Sequence, residues 1–326
     1  AKVAHNIMNC KTGAYGANVC VCEDCGFVQI HYNSCRNRCC PMCQAVPKEM
    51  WMDARREDVL DAPYFHLVFT VPDILNPVIY SNQRLLYDAL YHAASSTISE
   101  LTADPKHLGA KVGYICILHT WGSEMNFHPH IHTILLGGGL ASNNQWKDNG
   151  ENFFLPIRII SKVFRGKYLE ELKRLWKEDK LVFHGTAEKS RNHYTFKELL
   201  DSCYGMDWIP HCKKTFNGAQ TVIKYLGKYT HRIAVSNHRT VRMDDDTVTF
   251  LVKDYRNEGQ WKELAISGVE FVRRFLMHVP PRRFVRIRHY GLLCSRTKSQ
   301  KLTLCRNLLG CKKYLSKLRD MEMPEI

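Results

Sequence analysis

The stretch from His119 to His132 constrains the fold more than any other part of the chain, because it carries four histidines where two short apolar runs meet. The runs at 114–119 (YICILH) and 130–136 (HIHTILL) are rich in β-branched residues, which is typical of buried strands. A polar connection that contains glycine joins them, so the sequence predicts a β-hairpin. Side chains on a strand alternate between two faces, and this alternation decides which histidines can meet.

These histidines form a candidate metal site. His128, His130 and His132 share a face if their strand extends back past the proline between the first two. His119, at the end of the preceding strand, can reach them across the hairpin. Neutral imidazoles are common metal ligands, so two or three of them on a rigid sheet would make a catalytic site for a divalent ion. The alternative is a set of structural histidines.

A second candidate site lies further along the chain, where Tyr225 and Tyr229 are four residues apart. This spacing places both phenols on one face of a helix, where aromatic pairs commonly serve only for packing. Here the surroundings are basic, and such a cluster could bind phosphate and help to deprotonate a phenol, whose reference pKa is about 10. The basic residues are Lys224, Lys228, His231 and Arg232.

The net charge points to a polyanionic partner. The chain has 326 residues and a formal charge of +14 at pH 7, and this length allows one large or two modest domains. Nucleic acid is the usual partner of such a chain. An acidic membrane surface is the alternative, but no apolar segment is long enough to span a bilayer and no basic amphipathic anchor stands at either end.

The cysteines cluster near the start of the chain, where eight of the fourteen fall between positions 10 and 43. Two CxxC pairs separated by 14 residues match the two knuckles of a zinc ribbon, in which four thiolates around one zinc fold a segment too small to build its own core. The predicted ligands are Cys22, Cys25, Cys40 and Cys43. Since a secreted disulfide framework does not need CxxC pairs, and no secretory signal is visible, we expect a reducing cytoplasm.

Four further cysteines leave the ligand set of this module open. Cys35 and Cys39 stand close to the second knuckle and could substitute as ligands. Cys10 and Cys20 are either bystanders or ligands of a second ion.

The remaining patterns mix strands and helices. The segment PYFHLVFTVP predicts a strand between Pro63 and Pro72, and apolar spacing predicts helices over 83–102 and 163–180. Further strands are predicted at 207–214, 239–243 and 247–253. The three glycines at 137–139 are not a phosphate cradle, and no GxxxxGK occurs anywhere, so the chain lacks a recognisable ATPase or helicase motor.

The last part of the chain is basic. Arginines alternate there with Phe275, Phe284 and Tyr290, and arginine with aromatic residues is the composition expected along a channel for single-stranded nucleic acid. A solvated basic surface is the alternative. The arginines that we expect to contact DNA are Arg282, Arg283, Arg286 and Arg288.

The ordered set of these segments resembles a known family. SCRNRCCPMCQ, PYFHLVFTVP, LHTWG, HPHIH, YLGKYTHRIAVSN and EFVRRFLMHVPPRRFVRIRHYG look like successive blocks of the insertion-sequence-91 family, which are rolling-circle transposases of the two-tyrosine HUH class. The blocks run from about residue 10 to residue 300, so the resemblance covers nearly the whole chain. One departure is visible, because Cys39 stands where the family pattern generally has histidine.

The resemblance implies a fold and a division of the chain. It implies an α+β fold, in which an HUH-type nuclease domain has a central antiparallel sheet flanked by helices and follows a small zinc-ribbon-like module. The predicted parts are a cysteine-rich zinc-binding module at 1–58, the nuclease domain at 59–240, and a basic C-terminal extension at 241–326 that packs on the nuclease domain and contacts DNA.

The resemblance also implies the roles of site residues. His130 and His132 flank Ile131 as the HUH pair and hold Mg²⁺ or Mn²⁺, with His119 or His128 as a third ligand, while zinc is the structural ion of the module. Tyr225 and Tyr229 are the nucleophiles. The basic clusters described above supply the expected DNA contacts, which are Lys224, Lys228, Arg232, Arg282, Arg283, Arg286 and Arg288.

The function that follows is cleavage and rejoining of single-stranded DNA through 5′-phosphotyrosine intermediates. The expected partners are element ends with hairpins, host replication or helicase machinery that exposes the strand, and further copies of the chain in a homo-oligomer, all in the bacterial cytoplasm. An HUH replication initiator or relaxase is the alternative within the same chemistry. A metal-dependent hydrolase with packing tyrosines, and a non-catalytic zinc-ribbon regulator of DNA, are the alternatives outside it.

Overall fold

The computed structural model describes residues 2–150, 153, 155–208, 210–215, 227, 233–235, 237–254 and 257–318. The predicted nucleophiles and three of the predicted DNA contacts lie outside the described residues. These are Tyr225, Tyr229, Lys224, Lys228 and Arg232.

The N-terminal module consists of two helices and a hairpin. Helix α1 (Lys2–Met8) precedes strands β1 (Ala17–Val21) and β2 (Val28–Tyr32), which pair antiparallel, and helix α2 (Ala45–Arg56) follows. Every residue of β1 is exposed, so the hairpin contributes little to a core. The module therefore depends on its cysteines and on the packing of α2.

A central antiparallel sheet forms the middle of the described chain. Its strands are β3 (Tyr64–Thr70), β4 (Lys111–Trp121), β5 (Phe127–Leu140), β6 (Trp146–Asp148), β7 (His211–Thr215) and β11 (Ile287–Gly291). The order is β11-β4-β5-β3-β7, with β6 paired to the end of β5. The hairpin predicted around the histidines is confirmed as β4 and β5, and the predicted strand between the two prolines is β3.

Helices cover one face of this sheet. They are α3 (Asn76–Ser81), α4 (Gln83–Ala103), α5 (Ile157–Lys177) and α6 (His193–Gly205). Leu90 of α4 and Phe164 of α5 are fully buried against alternate side chains of the strands, such as Leu67. The α+β fold with a central antiparallel sheet flanked by helices, preceded by a cysteine-containing module, is thus confirmed.

The opposite face of the sheet carries a second apolar cluster. Ile115 and Ile117 of β4 and Ile134 of β5 lie in it, and Trp51 and Met52 of α2 pack against it. Because side chains alternate along a strand, the same face continues from these isoleucines into the histidines. The sheet thus places the candidate site on the face that α2 of the module contacts.

The C-terminal part adds a small sheet, two helices and the edge strand of the central sheet. Strands β8 (Thr240–Met243), β9 (Thr247–Asp254) and β10 (Gln260–Ser267) form a three-stranded antiparallel sheet, and α7 (Gly268–Met277) and α8 (Lys298–Leu309) follow. Since β11 lies within the predicted extension, that part of the chain completes the central sheet. The boundaries at 58/59 and 240/241 stay predictions. In the described part of the chain, no helix combines the length and apolar character that crossing a bilayer requires.

A buried carboxylate ties the end of the described chain to α2. Asp53 is 3% exposed, and its carboxylate accepts hydrogen bonds from Tyr314 Oη (2.9 Å), Ser316 Oγ (2.6 Å) and the backbone N–H groups of Lys317 and Leu318 (2.8 and 2.9 Å). Burial alone would raise the pKa of Asp53, but these hydrogen bonds lower it to about 2.

We expect Asp53→Asn to cost about 2 kcal/mol of unfolding free energy near pH 7, because an amide cannot accept all of these hydrogen bonds. The folded-state pKa lies below the ordinary value of about 3.9, so the stabilisation is present above that value and is lost as the pH falls towards about 2. The melting temperatures of wild type and variant should therefore differ by a constant amount down to about pH 5 and converge below it.

The exposed Asp61→Asn is the matched control. A melting-temperature difference for Asp53→Asn that stays constant to the lowest pH at which both proteins fold would contradict this assignment.

Candidate functional site

The hairpin of β4 and β5 brings three histidines together. His119 pairs directly with His130 across the two strands, and His132 follows on the same face of β5. All three side chains are buried, and their ring nitrogens lie within 4.8 Å of one another. Of the two predicted candidates for a third ligand, the structure therefore brings His119 to the HUH pair.

The remaining predicted ligand, His128, lies outside this cluster. Its ring is partly exposed and its Nδ1 is 3.2 Å from a carboxylate oxygen of Asp73. Its backbone carbonyl nevertheless serves the site, because it accepts a hydrogen bond of 2.7 Å from Nδ1–H of His130. This bond fixes the proton of His130 on Nδ1 and directs the Nε2 lone pair into the cluster.

The distances within the cluster fit a metal ion. Nε2 of His130 is 3.0 Å from Nε2 of His132. Two nitrogens each about 2.1 Å from one ion and at right angles to each other are about 3.0 Å apart, which is the octahedral arrangement. Three imidazoles around such an ion would leave coordination positions open for a substrate.

Burial keeps His130 and His132 neutral, as metal ligands must be. Burial, together with the nearby His128, lowers the pKa of His130 to about 4. Burial and the neighbouring histidines lower the pKa of His132 well below its ordinary value. Among the described residues no carboxylate belongs to the cluster, and an all-nitrogen donor set suits Mn²⁺ or Zn²⁺ better than Mg²⁺, which prefers oxygen.

A fourth buried histidine, His66 on β3, was missed by the sequence analysis. Its Nε2 is 2.8 Å from Nδ1 of His132, so it contacts the cluster from outside. The available signal was a lone polar residue inside the apolar run YFHLVFT. Which side chain His66 contacts on the next strand depends on the register of β3 with β5, and the sequence does not reveal this register.

The end of the hairpin is held by its own contacts. Trp121 stacks on the ring of His119, with centroids 4.4 Å apart and planes 18° apart. His278, just after α7, accepts a hydrogen bond from Thr120 Oγ1 (3.1 Å) and donates Nε2–H to the carbonyl of Met125 (3.0 Å). Burial lowers the pKa of His278 to about 4, so this link holds in the neutral state. The C-terminal part thereby fixes the turn beside the site.

One residue of the predicted tyrosine helix is described. Gly227 is helical and buried, and a Cβ on it would stand 2.1 Å from Sδ of Met52. Met52 belongs to α2, which packs against the sheet face that carries the histidines. Gly227 therefore lies on the module side of that face.

The module contains a second cluster, of four cysteines. Sγ of Cys10 is 3.4 Å from Sγ of Cys43 and 3.7 Å from Sγ of Cys40, while Sγ of Cys35 is 3.6 Å from that of Cys43. Four thiolates about 2.3 Å from a tetrahedral zinc are about 3.8 Å apart, so the cluster fits one structural zinc ion. Burial opposes ionisation of Cys43, but hydrogen bonds from the neighbouring thiols lower its pKa to about 7.

This cluster corrects the predicted ligand set. Cys40 and Cys43 are in it, but Cys10 and Cys35 take the places predicted for Cys22 and Cys25. The physical reason is that the first CxxC pair follows β1 at the exposed tip of the hairpin, away from the cluster.

The two other cysteines considered as ligands or bystanders also lie outside the cluster. Cys39 is buried in an apolar cluster with Met125 and Phe250, and Cys20 is exposed on β1. Neither belongs to the group that could hold an ion.

The predicted DNA-contacting arginines of the C-terminal part divide into two pairs. Arg282 and Arg283 are exposed. Burial lowers the pKa of Arg286, and Arg288 forms an ion pair with Asp88 and lies over the ring of Tyr91. The first pair is therefore accessible at the surface, whereas the second pair is occupied by contacts within the fold.

The exposed pair lies on a loop that the module holds. Arg38 of the module donates hydrogen bonds to the carbonyl oxygens of Phe284 (2.6 Å) and Pro281 (2.8 Å). The loop between α7 and β11 is thus attached directly to the segment that carries the cysteine cluster.

Two family models match the chain. The model described as "Putative transposase" matches residues 113–301, and the model described as "Transposase zinc-binding domain" matches residues 1–71. The first includes the three clustered histidines, and the second includes all four clustered cysteines.

Two curated relatives are similar over most of the chain. The "Putative transposase y4qJ" of Sinorhizobium fredii is 41% identical over 302 residues, which are 92% of this chain and 76% of that protein. The transposase for insertion sequence element IS801 of Pseudomonas savastanoi is 31% identical over 301 residues, which are 91% of this chain and 70% of that protein.

Among solved structures, the conjugative relaxase TrwC in complex with oriT DNA shows a partial likeness. Its metal-bound structure is 16% identical, with a TM-score of 0.29 and coverage of 35% of this chain and 44% of the relaxase. Its metal-free structure is 14% identical, also with a TM-score of 0.29, and covers 50% of this chain and 71% of the relaxase.

We expect the wild-type protein to contain about one zinc ion per chain, held by the four clustered thiolates. Cys10→Ser should lose most of this zinc, because a hydroxyl replaces one of the four ligands. Cys22→Ser makes the same chemical change outside the cluster and should keep its zinc. The zinc content of the two purified variants can be measured by inductively coupled plasma mass spectrometry. Zinc lost from Cys22→Ser and retained by Cys10→Ser would contradict the corrected ligand set.

Proposed function

Because this chain belongs to the insertion-sequence-91 family of transposases, we propose that it nicks and rejoins single-stranded DNA through covalent phosphotyrosine intermediates. The observation that carries the proposal is the cluster of three buried imidazoles, in which Nε2 of His130 and Nε2 of His132 are 3.0 Å apart. That arrangement is suited to an ion that activates a phosphate and is unnecessary in a protein that only binds DNA.

The histidines supply the ion site. His119, His130 and His132 would hold one divalent ion, Mn²⁺ in preference to Mg²⁺ because all three donors are nitrogen. When bound, such an ion polarises a non-bridging oxygen of the scissile phosphate and offsets the charge that develops there in the transition state. The buried sheet holds the imidazoles rigidly, so the geometry exists before the substrate arrives.

Tyr225 and Tyr229 supply the nucleophiles. The phenol gives up its proton, its oxygen forms a bond to phosphorus, and the bond between phosphorus and the 3′ oxygen breaks. The leaving oxygen takes up a proton, so the products are a 5′-phosphotyrosine and a free 3′-OH. Gly227 lies between the two tyrosines in sequence and packs on α2, beside the sheet face with the histidines, which supports this role.

The covalent bond keeps the energy of the phosphodiester. Attack by a 3′-OH on the phosphotyrosine reverses the step and needs no ATP, in agreement with the absence of a GxxxxGK motif from the sequence. Two tyrosines allow two covalent DNA ends at once, which strand transfer by a rolling-circle route requires.

DNA binding would rest on the basic surface of the chain. The net charge of +14 favours association with a polyanion, and the exposed Arg282 and Arg283 are its candidate phosphate contacts in the described C-terminal part. We further propose that the DNA is an element end with a hairpin and that host replication or a helicase exposes the strand. Assembly as a homo-oligomer stays a prediction.

The first test uses labelled single-stranded oligonucleotides from the DNA that flanks the gene, incubated with Mn²⁺ and resolved on a denaturing gel. We expect a covalent protein–DNA adduct that the Tyr225→Phe, Tyr229→Phe double variant does not form, because phenylalanine lacks the attacking oxygen. Each single variant should keep a part of the activity if either phenol can attack.

Tyr204→Phe, an exposed phenol on α6, is the matched control for the loss of a hydroxyl. Cleavage that proceeds without an adduct in the wild type would contradict the covalent route and favour hydrolysis. DNA binding without cleavage at either element end would favour the regulator.

The second test concerns the ion. Replacing His119, His130 or His132 by alanine is expected to slow adduct formation in Mn²⁺ by about 100-fold or more, because each change removes a ligand. His128→Ala should stay close to the wild-type rate, since its ring is outside the cluster and its backbone carbonyl remains.

Measuring the adduct yield as a function of Mn²⁺ or Mg²⁺ concentration shows which ion the three nitrogen ligands prefer. Mn²⁺ should act at a lower concentration than Mg²⁺. A rate that is unchanged in His119→Ala and lost in His128→Ala would overturn the assignment of the third ligand.

A further inference from the structure

The contact of His66 with the ion site has a chemical consequence. Resting on the proposed ion site, we propose that His66 is a positioning residue that holds the proton of His132 on Nδ1, so that Nε2 of His132 can bind the divalent ion. It acts through His132 and does not bind the ion itself, because its own Nε2 is used in the contact with Nδ1 of His132.

The geometry of the pair is that of a hydrogen bond. Nε2 of His66 and Nδ1 of His132 are 2.8 Å apart, and the two rings are nearly coplanar, at 11° to each other with centroids 5.0 Å apart. His132 pairs with Val68 across the two strands, so His66 reaches it as a diagonal neighbour. Both rings are buried, at 4% and 8% exposure, so water does not compete for the contact.

Either His66 or His132 can donate the proton in this hydrogen bond. If His66 carries it on Nε2, then neutral His132 carries its own proton on Nε2 and directs it towards His130, where the ion would bind. If His132 carries it on Nδ1, then its Nε2 lone pair faces the same point as that of His130. Only the second arrangement binds a cation.

The tautomer of His130, in contrast, is fixed by the backbone. Its Nδ1–H is held by the backbone carbonyl of His128, so its Nε2 is always the unprotonated nitrogen of the neutral ring. His132 contacts a side chain instead of a carbonyl, and the hydrogen-bonding state of His66 decides which tautomer it adopts. Ion binding therefore requires His66 to act as the acceptor, with its own proton on Nδ1.

The side chain at this position must reach the neighbouring strand and accept a hydrogen bond from Nδ1 of His132. An imidazole is neutral, long enough and able to accept at Nε2. Glutamine can place an amide oxygen near the position of Nε2, whereas phenylalanine keeps the ring shape and cannot accept.

The test measures ion binding without DNA or catalysis. Wild type, His66→Gln and His66→Phe are titrated with Mn²⁺, and the unbound ion is followed by its electron paramagnetic resonance signal. We expect Mn²⁺ affinity to fall about 10- to 100-fold in His66→Phe, as for the loss of an outer partner of a ligand, and to be largely retained in His66→Gln. His184→Phe, an exposed histidine after α5, is the matched control.

A spectroscopic readout keeps the proposal testable if the phenylalanine variant does not fold. In wild-type protein with ¹⁵N-labelled histidine and Zn²⁺ as the bound ion, the His132 ring should show its proton on Nδ1. His66→Asn, whose shorter amide cannot reach Nδ1, should weaken Zn²⁺ binding.

The outcomes separate the two proposals. If wild type binds Mn²⁺ and folded His66→Phe binds it equally well, the positioning role is wrong while the ion site stands. A His132 proton found on Nε2 in the Zn²⁺-bound protein would also overturn it. If wild type binds no divalent ion at the histidines, the proposed ion site itself fails.

Discussion

The antiparallel pairing of β4 with β5 is the interaction on which the rest of the structure depends. Its register sets His119 opposite His130, and the alternation of side chains sends the isoleucines and histidines to one face and Leu118 and Ile131 to the other. The helices cover the second face and make the main core. The first face packs against α2, which Gly227 also contacts, and against α8. One pairing thus produces both the hydrophobic core and the polar site, and each depends on the same register.

The cysteine cluster and the histidine cluster are parts of one arrangement. The cysteines hold the segment from Cys35 to Cys43, from which Arg38 reaches the carbonyls of the loop that bears the exposed arginines. Helix α2 follows at once and packs on the sheet face of the histidines. Zinc in the module would therefore stabilise the surroundings of the histidine cluster and the loop with the exposed arginines, in addition to the module itself.

The sequence was sufficient for the parts of the fold that local patterns determine. Strand periodicity located β3, β4 and β5, and helical periodicity located α4 and α5, because each buries a regular face. It could not choose between His119 and His128, since that choice depends on cross-strand register. It missed His66 for the same reason, and it selected Cys22 and Cys25 because spacing shows a knuckle but not where the hairpin carries it. Contacts between distant segments are therefore what the sequence left undetermined.

The measurement that tests the central claim most directly is identification of the amino acid that becomes linked to DNA. The protein is incubated with an element-end oligonucleotide and Mn²⁺, the covalent product is digested with protease and nuclease, and the peptide that retains a nucleotide is sequenced by mass spectrometry. The account predicts a 5′-phosphate on Tyr225 or Tyr229, in a product that EDTA prevents. A nucleotide on any other residue, or cleaved DNA with no linked peptide, would contradict it.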